Sequence, residues 1–211
     1  MNCGLSNLDR LKRHLLAAGT LAGETRFDEV VADLGQGVAA EFETFCGRKF
    51  ARLVDDVAVF PADRVHFVLP RYPIESIKTV KVKRSEAGTF VEQAAGFVKT
   101  ISAAAGIVYL PEPDAGPYDA EVQFTYTGGY WFETLEPEES GYPSAVPAGA
   151  TALPKDLRLA WVNHCRAVWD AWDKLGVGLV DKPKVQTVIG EVDWSASVKR
   201  TLAMYQVVQP I

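Results

Sequence analysis

Adjacent His164 and Cys165, the glutamates Glu133, Glu136, Glu138 and Glu139, and the basic run Lys78, Lys81, Lys83 and Arg84 are the residues whose types could do chemistry. A metal site needs several ligands on one face, and neighbours along a helix point about 100° apart. His164 and Cys165 therefore read as a core histidine beside a buried thiol, and no metal site is expected. His14 and His66 stand alone in the sequence. Paired carboxylates work as acid and base where an apolar pocket drives their pKa values apart. Glutamates set among Pro137, Pro143 and Pro147 have no such rigid pocket. The chain has no G-x-S-x-G elbow, no S-x-x-K and no cysteine-protease signature. Gly35-Gln36-Gly37 lies inside a helical pattern, and Gly128-Gly129 lacks the lysine and hydroxyl of a phosphate loop. The expectation is no catalytic residue and no cofactor.

The basic run is the best nucleic-acid candidate, but no aromatic platform interleaves with it. Lysines beside Val80 and Val82 also protect an exposed β edge. The whole chain carries a formal charge of −5 over 211 residues, a field that repels polyanions and argues against general nucleic-acid binding. With 48% hydrophobic and 23% charged residues the composition is that of a globular protein, and a chain of this length buries roughly 70% of its unfolded surface without staples. Three cysteines, Cys3, Cys46 and Cys165, without CxxC spacing suit a reducing compartment. No apolar run approaches the ~20 residues that span a bilayer, and Met1-Asn2-Cys3-Gly4 does not look like a signal peptide. Synthesis in a cytoplasm, with no membrane partner, is expected.

The elements that must position these residues follow from periodicity. Ser6 with Asp9 opens a short helix through Leu8, Leu11 and Leu15, whose other face carries Arg10, Lys12 and Arg13. Thr25 with Asp28 opens a longer helix with the stripe Phe27, Val30, Val31, Leu34, Val38, Phe42 and Phe45, ended by Gly47. Gly35 and Gly37 cost that helix about 1 kcal/mol each, so either another backbone packs closely there or the helix is locally loosened. From Val57 to Val82, at 106–110 and at 121–126, alternation of apolar and polar residues predicts short strands. A long loop, 130–153, precedes a helix starting after Pro154 with Leu157, Trp161, Cys165, Val168 and Trp172 on one face, widened by Leu159, Val162 and Trp169. An extended stretch with Val185, Thr187 and Ile189 leads to a last helix through Val198, Leu202 and Tyr205. The expected fold is α+β but mainly α: a bundle of about four helices with an inserted antiparallel hairpin or small sheet. The core would span 1–175, with the β region at 51–129 and the loop at 130–153, and 176–211 would form an extended C-terminal segment.

In this order, four segments carry a resemblance: Glu43-Thr44-Phe45-Cys46-Gly47-Arg48-Lys49-Phe50, Leu69-Pro70-Arg71-Tyr72-Pro73-Ile74-Glu75-Ser76-Ile77, Phe124-Thr125-Tyr126-Thr127-Gly128-Gly129-Tyr130 and Leu153-Pro154-Lys155-Asp156-Leu157-Arg158-Leu159-Ala160. Across roughly 5–172 the chain resembles the head-tail connector family of tailed bacteriophages, also called head completion or adaptor proteins. The resemblance implies a structural virion protein, monomeric in solution, that forms a dodecameric ring beneath the portal protein. That ring would contact a tail-side neck or tail-terminator protein and continue the channel through which genomic DNA passes without sequence-specific binding. The alternatives are another neck or tail-terminator protein and, from the acidic loop, a small hydrolase. Ring contacts are expected at Arg10, Arg13, Lys78, Lys81 and Lys83. Glu133, Glu136, Glu138 and Glu139 are expected to face the channel or a neighbour. Trp194, Val198, Leu202 and Tyr205 are expected to form a mobile stripe that becomes ordered on the portal, because a helix of three turns is marginal alone.

Overall fold

The computed structural model describes residues 3–15, 25, 27–94, 96–111, 120–174 and 192–207. The expected extended stretch around Val185, Thr187 and Ile189 lies outside them. Two compact units result, each built from separated pieces of chain. The first comprises Met1–Cys46, Phe132–Ala145 and Leu153–Gln206, and the second Gly47–Trp131, Val146–Ala152 and Val207–Ile211.

The first unit holds helices α1 (Leu8–Leu15), α2 (Asp28–Cys46), α3 (Lys155–Lys174) and α4 (Ala196–Ala203). Apolar residues three and four apart line one stripe of each, so helices bury those stripes together. Leu11 of α1, Val31, Val38 and Phe42 of α2, Leu157, Trp161 and Cys165 of α3, and Val198 and Leu202 of α4 are all buried. The stripes are narrower than periodicity implies, since Val30, Phe45 and Leu159 are exposed. At Gly35 the expected close approach is present. A Cβ there would lie 2.2 Å from the Cys3 carbonyl oxygen, and one on Gly4 would lie 2.4 Å from that of Gly35. Only two glycines let the N-terminal segment cross α2 at this separation. On α3, Trp161 Nε1 donates to the Gly35 carbonyl at 3.0 Å, tying three chain segments together at one point. Gly37 has no atom within 4 Å of its would-be Cβ, so packing does not account for it.

Among its described residues the second unit holds strands and no helix. Strands β1 (Leu53–Pro61), β2 (His66–Val68), β3 (Ile74–Lys83), β4 (Val91–Glu92), β5 (Lys99–Ser102), β6 (Ile107–Tyr109), β7 (Glu121–Gly128), β8 (Tyr130–Trp131) and β9 (Thr151–Ala152) form three sheets, ordered β1-β7-β3-β4, β2-β6-β5 and β8-β9. The β8-β9 pair is parallel and the others are antiparallel. Alternation places Val122, Phe124 and Tyr126 of β7, Val80 and Val82 of β3 and Ala58 of β1 in one core with Phe67, Leu69, Val108 and Leu110. Gly129, at φ 96°, turns the chain from β7 into β8, where a Cβ would meet the Ala51 carbonyl at 2.6 Å.

These sheets correct the expectation of a mainly helical bundle with a hairpin insertion. Among the described residues four helices stand beside nine strands in three sheets. The additional strands β4, β5, β8 and β9 are two to four residues long, too short to show a period.

The two helical glycines make opposite predictions. Gly35→Ala forces a methyl into backbone atoms and should destabilise the protein by about 2 kcal/mol or more. Gly37→Ala, in open space within a helix, should stabilise it by about 0.5–1 kcal/mol. Urea unfolding followed by circular dichroism reads both.

Candidate assembly surfaces

The acidic loop is tied into the first unit by its own carboxylates. Glu136 accepts from the Leu8 and Asp9 backbone N–H groups at 2.8 and 2.9 Å, while Asn7 donates to the Leu135 carbonyl and accepts from the Arg10 N–H. The first turn of α1 is thus capped by Asn7 and by a carboxylate from 128 residues away, not by the Ser6–Asp9 box its sequence suggests. A negative charge at a helix N-terminus also meets the positive end of the helix dipole. Glu133 accepts from the Ser144 N–H and hydroxyl and from the Leu135 N–H. Desolvation pushes its pKa up, but these hydrogen bonds outweigh it and hold the carboxyl below its ordinary value. Glu139 accepts from the Glu136 N–H, and Glu138 is exposed. The four glutamates therefore divide: three hold the loop and the fourth faces solvent.

Arg10 and Arg13 on α1 are exposed, and Arg13 pairs with Asp9. Between them Lys12 turns inward to Asp28 at 2.6 Å, so the basic face expected there is split. On β3 each lysine meets an acidic residue. Lys78 reaches Asp55 on β1 at 2.6 Å and Lys83 reaches Glu121 on β7 at 3.2 Å, while Lys81 stands opposite Glu92 on β4. β3 lies between β7 and β4, so the outermost strand on the other side of this sheet is β1.

The C-terminal stripe is packed within the first unit. Val198 and Leu202 are 2% and 0% exposed, and Ser195 caps α4 by accepting from the Val198 N–H. Trp194 sits edge-on to Phe42, Phe45 and His164, and the Tyr205 hydroxyl donates to Asp156 at 2.9 Å. A short apolar helix needs a partner, and here α2 and α3 provide it. Val198 and Leu202, two of the residues expected to become ordered on the portal, face inward in this unit.

His164 is buried against Phe42, with Glu41 3.7 Å away. Burial lowers its pKa, and the Glu41 charge only partly offsets this. Burial likewise pushes the Cys3 thiol up to about 12 and the Cys165 thiol further, which leaves both protonated and unreactive at neutral pH. Among the described residues no three His, Cys, Asp or Glu side chains converge on a metal position, and no helix is long and apolar enough to cross a membrane. A groove of about 1000 Å³ in the second unit runs beside Val59, Phe60, Phe67 and Pro70, with Asp63, Arg64 and His66 at its rim. Its carboxylate, Asp63, is held below its ordinary pKa by hydrogen bonds from Arg64, the reverse of what a general acid needs.

One feature escaped sequence reasoning. Arg48 is 4% exposed, with its guanidinium over the Tyr72 ring and close to Phe50 and Tyr130, and it donates to the Tyr72 carbonyl. Burial lowers its pKa while both tyrosines support the charge. The signal was present as aromatic residues in three of the four resemblance segments.

No family model matches the chain, and no curated protein matches it. Solved structures that share its fold include two from gene transfer agent particles. One, described as the neck of an empty gene transfer agent particle computed with C6 symmetry, aligns with a TM-score of 0.58 at 14% identity, covering 98% of this chain and 92% of that one. The other, described as the virion of a native gene transfer agent particle, aligns with a TM-score of 0.57 at 15% identity over the same shares.

Two predictions follow from these contacts. Glu136→Ala should cost about 1–2 kcal/mol by removing the α1 cap, against under about 0.5 kcal/mol for Glu138→Ala, both by thermal unfolding. As pH falls below about 6.5, the unfolded chain takes up a proton that folded His164 resists, so stability should fall through this window. Replacement of His164 by Gln should flatten that slope.

Proposed function

We propose that this chain is a structural subunit of the neck of a tailed-phage-like particle, a head-tail connector or adaptor. It forms a ring of identical copies beneath the portal, joins the capsid to the tail and continues the DNA channel. The observation that carries this reading is the shared fold, which extends over nearly the whole of both chains, with a protein from a particle neck. The groups of highest chemical potential add to it by being used for structure: buried protonated thiols, a buried histidine and carboxylates that cap and brace backbone. A net charge of −5 suits a bore through which DNA slides, since each neutralised phosphate adds salt-dependent affinity. In this reading the ring is dodecameric, Arg10, Arg13 and the β3 lysines lie at subunit contacts, and the tail-side face meets a further neck protein. Portal contact is assigned to the C-terminal segment, with half-buried Trp194 and Tyr205 as anchors and Val198 and Leu202 holding α4 in place.

Particles produced without this chain should be DNA-filled heads lacking tails, and supplying it in trans should restore joining. Tailed particles in its absence would overturn the reading. Lys81→Glu with Lys83→Glu exchanges pairs worth under about 1 kcal/mol, so the protein should fold while tailed-particle yield falls at least tenfold, counted by electron microscopy.

A further inference from the structure

Two guanidinium groups and an imidazole gather on one side of the helical unit without a counter-ion. Helix α1 packs against both α2 and α3 through buried Leu8, Leu11 and Leu15. At 100° per residue, Lys12 and Arg10 fall on opposite flanks of that stripe. Lys12 turns to Asp28 on α2. Arg10 and His14, one turn apart on the other flank, come within electrostatic reach of Arg158 on α3. Burial first, then the charges of Arg10 and Arg158, lowers the His14 pKa and keeps the ring neutral at pH 7, while burial and Arg10 lower that of Arg158. Among the described residues none of these three side chains has a hydrogen bond or ion pair. The carboxylates beside them in sequence are engaged elsewhere, Asp9 with Arg13 and Asp156 with the Tyr205 hydroxyl.

The outer side of α2 is complementary. Glu29, Asp33 and Gly37, each one turn from the next, are exposed, and the buried arc of Val31, Val38 and Phe42 lies on the other side of the helix. Neither carboxylate has a hydrogen bond or ion pair among the described residues. The spacing also agrees, since Arg10–His14 and Glu29–Asp33 are each pairs one helical turn, about 6 Å, apart. Gly37 adds room. A Cβ there would have nothing within 4 Å, so the helix carries the cost of a glycine with no contact inside the chain, and bare backbone at that point lets a second helix approach closely. A nucleic-acid backbone would meet the basic face alone, whereas a second copy of the chain accounts for both faces and for the glycine. Contact between two different patches of identical subunits is heterologous, the type that closes into rings.

We propose that the outer face of α2 in one copy docks on the Arg10–His14–Arg158 face of the next, with Glu29 and Asp33 meeting the two guanidiniums and Gly37 at the closest approach. This rests on the neck-ring reading and names the surfaces that build the ring.

The test reverses charge on each face of the full-length chain and measures its incorporation into purified particles by mass spectrometry. Arg10→Glu with Arg158→Glu, and separately Glu29→Lys with Asp33→Lys, should each lower incorporation at least tenfold while unfolding in urea stays close to wild type. All four substitutions in one chain restore complementarity between copies and should return incorporation to within about twofold of wild type. Gly37→Leu should fold at least as stably as wild type and still lose incorporation. Absence of rescue in the fourfold variant, or normal incorporation of Gly37→Leu, would overturn the proposal. So would a loss confined to the arginine reversals, which would make DNA or another acidic protein the occupant. If wild-type protein enters necks and every variant does so equally, the interface is wrong and the neck reading stands. If wild-type protein is absent from particles, both fall.

Discussion

The helical unit depends on a single backbone crossing. Gly4 and Gly35 allow the N-terminal segment to lie directly on α2, and the Trp161 indole hydrogen-bonds to the carbonyl at the same point. A buried indole N–H without an acceptor would cost about 1–3 kcal/mol, so α3 has one favourable register on α2. That register sets where Phe42, His164 and Trp194 meet, and with them the seat of α4. The crossing also holds the start of α1 beside the loop whose Glu136 caps it.

Charge in this molecule is spent on architecture. Lys12, Arg48, Arg71 and Glu133 are each engaged with a defined partner, and such groups, once partly buried, are costly to leave unpaired.

Much of this was legible in the sequence. The helices at 8–15, 28–46, 155–174 and 196–203 came from apolar residues at helical spacing, and β1, β3 and β7 from alternation. The close approach at Gly35 was legible because a mid-helix glycine needs a reason. The balance of helix and sheet was misjudged because Val91-Glu92 and Thr151-Ala152 are strands only through their partners. The capping of α1 was misread for a related reason: Ser6 and Asp9 satisfy the local pattern, but Glu136 reaches the same N–H groups from far along the chain. Leu159 fits the helical stripe and is exposed, which shows that period alone does not fix how wide a buried arc will be. Arg48 was missed because only the fold gathers Phe50, Tyr72 and Tyr130 around it.

The closure of the β unit bears on how the chain folds. Tyr130 N–H donates to the Phe50 carbonyl at 2.7 Å, and the Arg52 N–H donates to Tyr130 in return. Once the β unit is formed, Phe50 and Tyr130, near the two ends of its longest piece, are pinned a hydrogen bond apart. An excursion of about eighty residues then acts as a short tether. Loop closure costs about 0.6 kcal/mol per doubling of length, so the α1–α2 pair meets the Phe132–Ala145 piece of its own unit and α3 at an entropic cost set by a few residues. Contacts distant in sequence become local in kinetics, and a nascent chain that completes its β unit before α3 emerges has already removed much of the search.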